Sequence, residues 1–179
     1  MQTIFEESTF VTNILEFHCP RYNELPTIDL YVDQVILFIS EILTPFYLDE
    51  DDKILTNAMI NNYVQQGIVS PSTNKKYSKN HMMYLIVVCV FKKMLSIHEI
   101  CALIKIQIET YPIHVAYDYF CTDLENCIQA TFSPNGIPMP HIASKKTDQT
   151  RLIRSTVLAF CNKLYIQKYI QYQQLLNTL

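Results

Sequence analysis

The sequence predicts an all-α protein that carries one small two-stranded wing. Three observations lead there. Glycine occurs only twice in 179 residues, at Gly67 and Gly136, and a sheet-rich chain with many tight turns needs more. Apolar residues recur every three or four positions along most of the chain. Helix boundaries are marked in the sequence by Ser78, by Ser96 with Glu99, and by Gly67. Hydrophobic residues make up 49% and charged residues 17%, the balance of a folded globule rather than a disordered chain. The length suits a single compact domain, 1–179.

The elements follow in order. Residues 8–17 predict a short helix with Val11, Ile14, Leu15 and Phe17 on one side. Pro20 to Pro26 reads as a loop. Thr27 or Asp29 caps the next helix, whose stripe is Ile28, Val32, Val35, Ile39, Ile42 and Phe46. Pro45 falls at its end. The acidic run Asp49-Glu50-Asp51-Asp52 favours the N-terminal dipole of a helix over 54–66. Gly67 then sits where a left-handed cap belongs. Ile68–Ser70 and Lys75–Tyr77 read as two extended pieces around the turn Pro71-Ser72-Thr73-Asn74. Ser78 opens a helix of about sixteen residues that is apolar nearly all round, the expected hub of the core. Lys92 and Lys93 close it, where cations favour the dipole. Ser96-Ile97-His98-Glu99 is a capping box, and its helix runs to about Thr110 before Pro112. A further helix covers 113–132, with Ile113, Ala116, Tyr117, Phe120, Leu124, Cys127 and Ile128 inward. Ser133–Gln149 reads as a long loop. The last helix, about 151–176, carries Ile153, Val157, Phe160 and Leu164.

Charge is divided unevenly. Residues 1–52 hold eleven acids and one base, whereas 53–105 hold seven lysines and only Glu99 as an acid. A basic middle in an acidic protein points to a polyanion. The helix 54–66 refines that expectation. Met59, Ile60, Tyr63 and Val64 lie on one face, while Asn57, Asn61, Asn62 and Gln65 take the other. Each amide offers a donor and an acceptor together, which is what the major-groove edge of adenine requires. Lys75 and Lys76 suit phosphates, with Tyr77 bracing the turn and donating its hydroxyl. Lys79 and His81 lie in the first turn of the next helix, within reach of the same backbone.

The order helix, glycine, lysine-bearing turn, capped buried helix and second capped helix resembles the winged helix-turn-helix of the MerR family of bacterial regulators. The residues that carry it are Tyr63, Gly67, Ile68-Val69, Pro71, Lys75-Lys76-Tyr77 and Ser96-Ile97-His98-Glu99-Ile100. PRYNELPTIDLYVDQV (Pro20 to Val35) and MINNYVQQGIVSP together resemble a bacterial domain-of-unknown-function family, the one numbered eighteen thirty-six. The first resemblance implies a MerR-like helix-turn-helix region over 28–110 and a C-terminal helical extension over 111–179, for an effector or for dimerisation. It implies a transcriptional regulator that binds double-stranded DNA through helix 54–66 and the wing 68–77. Asn57, Asn61, Asn62, Gln65, Lys75, Lys76, Tyr77 and Lys79 are then the DNA-binding residues, and the protein works as a homodimer.

Other chemistries are weaker. There is no G-x-G-x-x-G or P-loop, no nucleophile elbow and no calcium-loop spacing, so no enzyme and no cofactor is expected. The six cysteines form no C-x-x-C pair, and no metal is expected. The N-terminus bears acids where an export signal needs bases. The longest apolar run, Met82 to Phe91, is too short to span a bilayer. A cytoplasmic location without membrane contact is expected. Two alternatives stand beside DNA binding: a protein-interaction module that uses the acidic N-terminal helix, and a cysteine-based sensor.

Overall fold

A computed structural model describes residues 4–47, 52–133, 143 and 146–178. Among the described residues the protein is mostly helical, with a single two-stranded antiparallel sheet. The chain falls into two compact units, Pro20–Asp118 and a second made of Met1–Cys19 with Tyr119–Leu179.

In the first unit, β1 (Leu30–Tyr31) leads directly into α2 (Val32–Leu43). This moves the helix start from the expected Thr27 or Asp29. Ile28 is 70% exposed, and the side chain of Gln34 accepts the Tyr31 N–H at 2.9 Å. Leu30 and Tyr31 pair with β2 (Lys76–Tyr77), so a tertiary strand contact overrides the local helical stripe. Val35, Ile39 and Leu43 are fully buried, and a short 3-10 turn at Thr44–Phe46 carries Pro45. The Pro20–Pro26 loop also contains a 3-10 turn, Tyr22–Glu24.

Helix α3 spans Asn57–Gln65, starting three residues later than the periodicity predicts. The reason is local: the Thr56 hydroxyl accepts the Met59 N–H at 3.2 Å and fixes the N-cap there. Of the acidic run 49–52 only Asp52 lies among the described residues. It pairs with Lys93, not with the α3 terminus. Gly67 has φ +74. Its N–H reaches the Val64 carbonyl, and the Ile68 N–H reaches the Tyr63 carbonyl, each at 3.0 Å. This is the Schellman closure expected of a glycine in that position.

Helix α4 (Lys79–Phe91) is the hub of this unit: nine of its thirteen residues are buried. Helix α5 (Ile97–Thr110) opens on the capping box, with the Ser96 N–H donating to Glu99 at 2.7 Å and the Glu99 N–H to Ser96 at 3.3 Å. The Ser96 hydroxyl also donates to the Glu99 carboxylate at 2.7 Å, and this bond, with that of the Ser96 N–H, holds the Glu99 carboxyl below the usual carboxylate range. Lys92 and Lys93 do more than face a helix dipole. Lys92 Nζ donates to the carbonyls of Lys53 and Ile54, and Lys93 Nζ lies 4.0 Å from the centre of the Tyr47 ring. Together they pin the segment that enters α3.

The second unit contains α1 (Thr9–Leu15), most of α6 (Ile113–Phe132) and α7 (Asp148–Thr178). Its core is Val11 and Ile14 from α1, Leu124, Cys127 and Ile128 from α6, and Ile153, Val157, Phe160 and Leu164 from α7. The C-terminal tyrosines meet Phe5. Tyr165 and Tyr169 stand nearly perpendicular to it at 5.4 and 5.1 Å, and Tyr172 lies at 5.4 Å. They therefore form an aromatic cluster with Phe5. Most of the long loop expected over 133–149 lies outside the described residues. No described helix is long and apolar enough to cross a membrane.

Candidate nucleic-acid interface

The site is built on α3 and the turn that follows it. Ile60 is fully buried and Tyr63 is 5% exposed, which anchors one face of the helix in the unit. Burial, then the neighbouring Cys89, pushes the Tyr63 hydroxyl up to about 12. With that face fixed, the 3.6-residue period turns Asn57, Asn61, Asn62 and Gln65 outward, and all four are exposed. No acidic or basic side chain interrupts α3.

The wing differs from the expected pair of strands. Residues 68–70 form no strand. Ile68 and Val69 are both buried, which breaks the alternation of a half-buried strand. Both of their N–H groups point back to the Tyr63 carbonyl. The partner of Lys76–Tyr77 is instead Leu30–Tyr31, in the register Leu30↔Tyr77 and Tyr31↔Lys76. Leu30 and Tyr77 are buried together, while the Lys76 ammonium lies over the Tyr31 ring at 5.1 Å.

A tight turn does remain, two residues further along. Thr73 and Lys76 exchange both backbone hydrogen bonds at 3.0 Å. The two residues between them, Asn74 and Lys75, have φ 52 and φ 62. This is the geometry of a primed two-residue hairpin turn. Asparagine tolerates it. Lysine in the left-handed region costs roughly 1 kcal/mol, and glycine is the usual occupant of the second position. Asn74 is absent from the expected site residues, although asparagine before a lysine pair was the signal for a left-handed tip.

His81 ties this turn to α4. Its Nδ1 accepts the Ser78 N–H at 3.0 Å, so that nitrogen carries no proton. Nε2 then carries the hydrogen and faces Ser70 Oγ at 3.1 Å and the Pro71 carbonyl at 3.3 Å. Tyr77 packs edge-on against the ring at 5.3 Å. The remaining expected contacts separate. Lys75 is exposed at the tip. Tyr77 is 6% exposed and acts as a brace. Lys79 Nζ donates to the Tyr22 carbonyl at 3.0 Å and covers the Tyr22 ring at 4.6 Å, so it stitches the 22–24 turn to α4.

The unit that carries these residues coincides with a recognised sequence family. No curated protein and no solved structure matches the chain. A family model, however, covers residues 20–120, which is more than half of the chain and nearly the same stretch as the unit Pro20–Asp118. The chain therefore belongs to the family described as Domain of unknown function (DUF1836).

Proposed function

We propose that this protein is a cytoplasmic DNA-binding transcriptional regulator of MerR-like type, reading base edges with α3 and holding phosphates with the tip at Asn74-Lys75-Lys76. The observation that carries the reading is the exposed amide row Asn57, Asn61, Asn62 and Gln65 on a helix whose opposite face is locked in the core. The left-handed Lys75 supports it: a cation kept where glycine is easier has a role other than stability. Two copies would read two half-sites as a homodimer, with the C-terminal helices free to take an effector.

The test of base reading is Asn61→Ala. Exposed substitutions usually change stability by less than about 0.5 kcal/mol. Binding to the preferred duplex, selected from random DNA, should weaken by roughly 1–3 kcal/mol, with little change on unrelated DNA. Equal losses on both duplexes would remove α3 from base contact.

The tip has its own test. Lys75→Gly should raise stability by roughly 0.5–1 kcal/mol, because glycine relieves the left-handed strain. The same change should lower the slope of log affinity against log salt by about 0.9, the effect of one lost phosphate contact. A variant that gains stability and keeps its salt slope would take the tip out of the interface.

A second reading rests on α2, where Asp33, Leu37 and Glu41 are exposed one turn apart and Leu37 is 60% exposed. An apolar residue between two acids suits a basic, amphipathic segment of another protein. Failure of every duplex to bind would favour this surface.

A further inference from the structure

The segment before the family-matched unit lies along one face of α6, and sulfur closes the contact. The Leu15 carbonyl accepts from Gln129 Nε2 at 2.8 Å. His18 Nδ1 lies 3.0 Å from Glu125 Oε1, and the same oxygen accepts the Cys19 N–H at 2.8 Å. Gln129, Glu125 and Cys121 are spaced four apart, so they form a single stripe on the helix. At the end of that stripe the Cys19 thiol donates to Cys121 Sγ at 3.2 Å, and both residues are fully buried.

We propose that Cys19 and Cys121 are an oxidation site, joined by a reversible disulfide that clamps residues 15–19 onto α6. Closing the sulfurs to bonding distance requires about 1 Å of movement. Cys19 lies outside any helix, so it can shift without unwinding a turn. The oxidant is a small-molecule disulfide. When the strap opens locally, the Cys19 thiolate attacks one sulfur of the oxidant, forms a mixed disulfide and releases one small thiol. The Cys121 thiolate then attacks the Cys19 sulfur and expels the second. The two protein thiols lose two electrons and two protons. The electrons reduce the oxidant's S–S bond, and the protons end on the two released thiols.

The other buried thiols are poorer candidates. Cys161 hydrogen-bonds with Cys127, and that bond, burial and the nearby Asp123 push its thiol up. Burial pushes Cys89 up to about 12, with Lys92 opposing. Fewer thiolates mean slower exchange. Neither the disulfide nor its detection involves DNA.

The experiment incubates the native full-length protein in glutathione buffers from fully reduced to strongly oxidised, then blocks remaining thiols by alkylation. A glutamyl endopeptidase cuts after Glu125 and so separates Cys121 from Cys127. The expected product, found by mass spectrometry without reduction, is a Cys19–Cys121 peptide pair two hydrogens lighter than its parts. It should account for most of both cysteines in the oxidised buffer and disappear with dithiothreitol. Cys127 and Cys161 should remain alkylated. The pair should be lost in Cys19→Ala and in Cys121→Ala, with no substitute cross-link. If the wild-type protein keeps both thiols reduced in the most oxidising buffer, the proposal fails. It fails equally if Cys19 is captured only by glutathione or by a different cysteine.

Discussion

Replacing Tyr63 by alanine is expected to lower stability by roughly 3–5 kcal/mol, the range for removing a large aromatic side chain from a core. The ring is 5% exposed, and it sits on the anchored face of α3 between Ile60 and the Schellman turn. Losing it leaves a cavity under the helix that presents the amides. The backbone carbonyl that accepts Ile68 and Val69 survives the substitution, but the turn it closes loses the packing beneath it. The proposed DNA binding should therefore weaken on every sequence alike, in contrast to Asn61→Ala two residues away. Urea titration followed by circular dichroism measures the stability, and two duplexes measure the binding. A loss below about 1 kcal/mol would mean that the site collapses around the gap and that Tyr63 does not hold the helix.

That contrast between neighbours was legible in the sequence, because a 3.6-residue period assigns positions 60 and 63 to one face and 57, 61 and 65 to the other. The caps were legible for the same reason: Gly67 and the Ser96–Glu99 box are local motifs whose geometry is set within five or six residues. What the sequence did not reveal is contact between distant segments. Leu30–Tyr31 looks like the first turn of a helix until Lys76–Tyr77 claims it as a strand partner. Ile68–Val69 looks like a strand until the helix cap takes its N–H groups. Nothing local to Lys79 points to the Tyr22 carbonyl that accepts its ammonium from 57 positions away. The thiol pair Cys19–Cys121, 102 positions apart, has no sequence signal at all.

Asp123 carries the other large expected effect, and its sign runs against the usual result of changing a core residue. It is fully buried in the unit formed by α1, α6 and α7, and neither carboxylate oxygen has a hydrogen-bond partner among the described residues. Burial raises its pKa above the ordinary aspartate value, although the charge of Arg154 pulls it back. A raised pKa means that the folded chain holds this proton more tightly than the unfolded chain does. Ionised Asp123 therefore opposes folding above its folded pKa. That penalty fades as pH falls through the folded value, and it is gone below the unfolded value near 3.8. Asp123→Asn keeps the shape and removes the charge. At pH 7 it should stabilise the protein, because a neutral amide costs less to bury than an ionised carboxylate. The gain over wild type should shrink as the pH falls through the raised folded value toward the unfolded one, because the wild-type carboxyl becomes neutral there. Melting temperatures of the two proteins across that range are sufficient. A variant less stable than wild type at pH 7 would show that the ionised carboxylate is stabilised in the fold, by Arg154 above all, and the pH trend would then reverse.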